Sequence, residues 1–62
     1  MSNISVAIAN DNEKIRHNLS NLVTAQNDMT MVGNASDGVD AVAVIRRTRP
    51  DVVLLTFISI AR

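Results

Sequence analysis

Apolar positions along the chain fall into five blocks separated by short polar stretches. Ile4, Val6 and Ile8 alternate with Ser5, Ala7 and Ala9, which predicts a first strand over residues 4–9. Asn10-Asp11-Asn12-Glu13 interrupts it. Asn10 with Glu13 three residues on resembles a capping box, and Asp11 or Asn12 are equally suited to cap. Ile15, Leu19, Leu22 and Val23 then recur at helical spacing, with Lys14, Arg16, His17, Asn18 and Asn21 on the other side, so a helix is expected over about 13–26. Met29 to Val32 reads as a short second strand closed by Gly33. Ser36 or Asp37 is the expected cap of a second helix over about 38–48. That helix is apolar nearly all round, as one pressed between a sheet and neighbours would be. Arg46, Arg47 and Arg49 gather at its end, where the backbone dipole favours cations. Pro50 prevents continuation and pushes Arg49 out of helical geometry. Residues 52–60 form the longest apolar run, expected as a strand buried on both faces. The order β-α-β-α-β implies parallel strands with right-handed crossovers, an α/β architecture.

Composition narrows the function classes. A 62-residue chain is at most one small domain, and one this size buries only about 60% of its extended-chain surface, so marginal stability is expected. Without cysteine there is neither a disulfide nor a thiolate zinc site. The single histidine, His17, lies on the polar side of its helix and is expected to be solvated. Six basic and six acidic residues cancel, which gives no electrostatic drive toward nucleic acid or an anionic membrane. No targeting segment is visible. The final apolar run is far short of the roughly 20 residues that span a bilayer, so a cytoplasmic chain is the default expectation.

Three blocks carry a resemblance to a known family. They are Val6-Ala7-Ile8-Ala9-Asn10-Asp11-Asn12, Met31-Val32-Gly33-Asn34-Ala35-Ser36-Asp37-Gly38 and Arg49-Pro50-Asp51-Val52-Val53-Leu54-Leu55. In this order and at this spacing the chain resembles the first half of a bacterial response-regulator receiver domain over residues 4 to about 55. The second block is most like receivers that carry a helix-turn-helix output domain. The resemblance implies an incomplete flavodoxin-like sheet with strand order 2-1-3, out of the family's 2-1-3-4-5. It also implies phosphorelay signalling with a sensor histidine kinase as partner. DNA contact is implied only through an output domain outside this chain.

In that family a carboxylate at the end of the third strand accepts a phosphoryl group, and an acidic pair after the first strand binds Mg²⁺. Here the acceptor position falls on Thr56 and the first acidic position on Asn10; Asp11 alone is retained as the matching metal ligand. The family's Met-Pro and Asp-Gly loop is replaced by Phe57-Ile58-Ser59-Ile60-Ala61-Arg62. Mg²⁺ is therefore expected to bind weakly or not at all, since it is held through one or two carboxylates together with phosphate oxygens. The plain alternative for Asp11 is a helix cap. For Thr56 it is a β-branched strand residue with no base to activate its hydroxyl. Gly33 and Gly38 have the spacing of a phosphate loop, but Val39-Asp40 follows where such a loop needs Lys-Ser/Thr.

Three functions follow as expectations. The first is a chemically inactive receiver fragment that is not an enzyme. The abrupt end of the family pattern after Leu55 points to a frameshift or premature stop. The second is an interaction module that self-associates through the open edge of its third strand. The third is residual phosphoryl chemistry through Asp11, Asp51 or Thr56.

Overall fold

The computed structural model describes residues 3–56, Thr56 by its backbone alone. In chain order the elements are β1 (Ile4–Asn10), α1 (Glu13–Thr24), β2 (Met29–Ala35), α2 (Gly38–Thr48) and β3 (Val52–Thr56). The three strands form one parallel sheet in the order β2-β1-β3, so the expected α/β topology holds. The remainder of the expected last strand, residues 57–60, lies outside the described residues.

β1 is the strand around which the molecule packs. Residues Val6 to Asn10 are all buried, and Ile8 has no exposed surface. Alternation sends its side chains to two different cores. Val6 and Ile8 meet Val23 of α1, with Ile4, Leu19, Met29, Met31 and Leu54 packed around them. Ala7 and Ala9 meet Ala35, Ala41 and Val44 on the α2 side. The α1 side is filled by long chains and the α2 side mostly by methyl groups, so α2 must lie close to the sheet.

That close approach explains a departure from the expected second strand. β2 runs three residues beyond Val32, through Gly33 to Ala35. Gly33 is not a terminator. A Cβ on it would run into Cγ1 of Val44, so only glycine leaves α2 its place. The register also slips here, from Val6↔Met31 to Ala7↔Gly33, which makes Val32 the extra residue of a bulge.

The helix boundaries follow their caps. Asn12 caps α1, its side-chain oxygen accepting from the backbone N–H groups of Lys14 and Ile15. Asp37 caps α2 by accepting from Asp40 N–H. α1 ends at Thr24 rather than 26, with Ala25 N–H donating to Asn21 O and Gln26 N–H to Val23 O. Arg49 does leave helical geometry before Pro50, but into the left-handed region at φ 48°, ψ 61° rather than into extended backbone. Its N–H donates to Ile45 O, closing the helix in a form that glycine usually adopts.

Two burial expectations are corrected. The apolar run of β3 is not buried on both faces: Val52 is 41% and Leu55 57% exposed, and neither helix contacts β3. Its length signalled burial, but of the described residues Leu54 joins the α1-side core while Val52 and Leu55 stay exposed. Nor is α2 pressed between neighbours. It buries Ala41 and Val44 against the sheet, while Val39 is 82% and Val42 50% exposed. In α1 the stripe narrows likewise to Val23 and half-buried Leu19, with Leu22 at 63% exposure.

Candidate functional site

The carboxyl ends of β1 and β3 are where ligands collect in open parallel sheets. β1 and β3 pair in register from Val6↔Val52 to Asn10↔Thr56, so the backbones of Asn10 and Thr56 lie side by side at that end. Asn10 is buried. Its side-chain oxygen accepts from Asn12 N–H at 2.8 Å, a tight turn that carries the chain from β1 into α1. Its backbone carbonyl accepts from Arg16 Nη1 at 2.7 Å. Asp11, next along, is exposed.

Arg16 is a contact that the sequence pattern did not reveal. Helical spacing placed it on the polar side of α1, and that is where it starts. From the second turn, however, its half-buried side chain reaches back to the end of β1. The available signal was an arginine six residues beyond a strand end, within one long side chain of the corner.

Around this corner the surface has two depressions. One, of about 640 Å³, is lined by Asp11, Asn12, Glu13, Lys14 and His17. The other, of about 300 Å³, is lined by Glu13, Arg16, His17, Ser20 and Asn34. Both are open and polar, and Asn10 lines neither. Among the described residues no three His, Cys, Asp or Glu side chains are grouped so as to hold a metal ion.

At the opposite end of the sheet Asp51, a candidate for residual phosphoryl chemistry, is engaged by Ser5. Its Oδ2 accepts from Ser5 N–H at 2.8 Å and from the Ser5 hydroxyl at 3.0 Å. Asp51 N–H in turn donates to the carbonyl and hydroxyl oxygens of Ser5, each at 2.9 Å. The Ser5 backbone N–H, then its hydroxyl, hold the Asp51 carboxyl below the ordinary value of 3.8. Asp51 thus clasps the start of β3 to the start of β1, a strand length away from Asn10 and Thr56. The structure does not bring Asp51 together with Asp11 and Thr56.

This topology and these blocks have clear relatives. The chain is 42% identical over 52 residues to an uncharacterized transcriptional regulatory protein, YxjL, of Bacillus subtilis. It is 36% identical over 52 residues to a second such protein of that organism, YhcZ, and to the oxygen regulatory protein NreC of Staphylococcus aureus. These relatives are regulatory proteins by name, two of them transcriptional. Each of these matches covers 84% of this chain and 24% of the relative, so the chain spans about a quarter of the length of the relatives it matches. No family model matches it. No helix among the described residues is long and apolar enough to cross a membrane.

Proposed function

We propose that residues 1–62 are a partial receiver unit of response-regulator descent in which the phosphoryl-accepting chemistry is lost. The supporting observation is the register Asn10↔Thr56. By resemblance these are the first acidic position and the acceptor position of a receiver. They sit on adjacent strands, about 4.8 Å apart, and both are uncharged residue types. The scaffold of the pocket is kept while its charge is gone.

Mg²⁺ does not fit the donors present. Phosphoryl transfer relies on positioning and on charge neutralised by a metal that carboxylates hold. Here Asp11 is the single carboxylate of the three positions. The side-chain oxygen of Asn10 is engaged by Asn12 and its carbonyl by the cationic Arg16. Asp11 acts as a polar residue of the β1–α1 corner. A sensor histidine kinase is the partner class that the family supplies. Transcriptional control would come through an output domain outside this chain. Incubating the chain with a small acyl phosphate and Mg²⁺, read by intact mass, tests the reading: no phosphate adduct is expected, and an adduct on Thr56, Asp11 or Asp51 overturns it.

A second reading has its own support. β3 is an edge strand among the described residues and carries no helix on either face. This favours a pairing role for that edge.

A further inference from the structure

Glu13, Arg16, His17 and Ser20 recur at i, i+3, i+4 and i+7, so they share one face of α1. With Asn34, near the carboxyl end of β2, they line the smaller of the two depressions, about 300 Å³. The larger depression is lined from one continuous stretch, Asp11 to His17. The smaller one needs two elements, so it forms only when α1 docks beside β2. Its polar groups are available to a ligand. Among the described residues the side chains of Glu13, His17, Ser20 and Asn34 have no hydrogen-bond or ion-pair partner. Arg16 is half-buried and uses Nη1 on the Asn10 carbonyl, at 2.7 Å. That bond holds the guanidinium in place and leaves Nε and Nη2, a pair that can grip a carboxylate side-on. Glu13 and Arg16 stand one turn apart and are not paired with each other. The backbone donors at the start of α1 play no part, since Asn12 already takes those of Lys14 and Ile15.

We infer that this depression binds a free α-amino acid. The ligand carboxylate lies on the Arg16 guanidinium, with the Ser20 hydroxyl and the Asn34 amide as further donors. The ligand ammonium lies on the Glu13 carboxylate. A fixed cation and a fixed anion whose Cβ atoms are about 5–6 Å apart suit a small molecule that carries both charges. A dianion such as phosphate meets the repulsion of Glu13, a simple amine meets that of Arg16, and a neutral ligand answers neither charge. The inference goes beyond the loss of phosphoryl chemistry and is independent of it, because Asp11 and Thr56 take no part. It depends on the packing of α1 against β2.

Titrating L-alanine into the 62-residue chain, followed by amide chemical shifts and by the thermal midpoint, tests this. The expected result is saturable shifts centred on Arg16, Ser20 and Asn34. A rise of the midpoint should accompany them, because a ligand of the folded state alone stabilises it. Acetate, methylammonium and inorganic phosphate should produce neither. Arg16→Gln and Glu13→Gln should each weaken binding about tenfold, the loss of one charge-assisted contact. Lys14→Gln, which lines only the larger depression, should leave binding unchanged. If Arg16→Gln loses its far-ultraviolet dichroism, Asn34→Ala is read in its place and should also weaken binding. Absence of saturable shifts overturns the inference. So does equal binding of acetate or phosphate, a set of shifts centred on Asp11 and Lys14, or undiminished binding by folded Arg16→Gln or its substitute.

Discussion

At the amino end of the sheet Asp51 is held by four hydrogen bonds exchanged with Ser5, and it keeps β3 latched to β1. At the carboxyl end the matching side-by-side pair is Asn10 and Thr56, without a carboxylate between them. The same two strands therefore carry an acidic group where they begin and uncharged residue types where they end. The corner after Asn10 is still carefully built, with the Asn10–Asn12 turn, the Asn12 cap and the Arg16 contact in sequence. None of these interactions depends on a reactive carboxylate. The comparison teaches that a parallel sheet can keep its folding contacts and its strand register while its reactive end loses charge, because separate residues serve the two tasks.

The severest way to break the comparison is to remove what both ends share. Ile8 lies midway along β1 with no exposed surface, so Ile8→Ala should cost about 3 kcal/mol. In a chain this small that is enough to abolish a cooperative thermal transition. Gly33→Ala is next: its methyl meets Val44, and an overpacked site of this kind costs about 2 kcal/mol in denaturant unfolding. Asn12→Ala removes the α1 cap and acts on the carboxyl end alone. It should cost about 1 kcal/mol and leave the Ser5–Asp51 clasp intact, seen as unchanged protection of Ser5 and Asp51 amides.

The smallest effect belongs to the amino end and is read by pH. The folded state lowers the Asp51 carboxyl below its ordinary 3.8. The clasp therefore contributes stability in full above that value and loses it as pH falls through the lower folded-state value. Asp51→Asn should remove that part of the acid dependence while leaving the neutral-pH fold in place. An unchanged acid limb of the unfolding curve would show that the clasp contributes nothing.

Much of the architecture was legible because periodicity reports local geometry. Alternation in residues 4–9 and helical spacing in 13–24 both gave elements where they were expected. The expectation that the third strand is buried on both faces failed for a physical cause. Burial depends on neighbours as well as on apolar length: β1 packs against helices on both faces, whereas of the described β3 residues Val52 and Leu55 stay exposed. Gly33 misled because glycine is a breaker by propensity; here it is required by the approach of Val44. At the site, the adjacency of Asn10 and Thr56 is a matter of register, which spacing along the chain does not encode; it came from the family resemblance. The Arg16 contact and the Ser5–Asp51 clasp depend on where side chains turn in space, and no pattern of apolar positions carries that.

The central proposal is that the carboxyl end, with Asp11 as its one carboxylate beside Asn10 and Thr56, is too poor in acid to hold Mg²⁺. It is tested most directly by titrating Mg²⁺ against the thermal midpoint of the chain and of the double variant Asn10→Asp, Thr56→Asp. A ligand that binds only the folded state raises its midpoint. The expected result is a flat line for the natural chain and a saturable rise for the double variant. A rise in the natural chain, or no rise in a folded double variant, would contradict the claim.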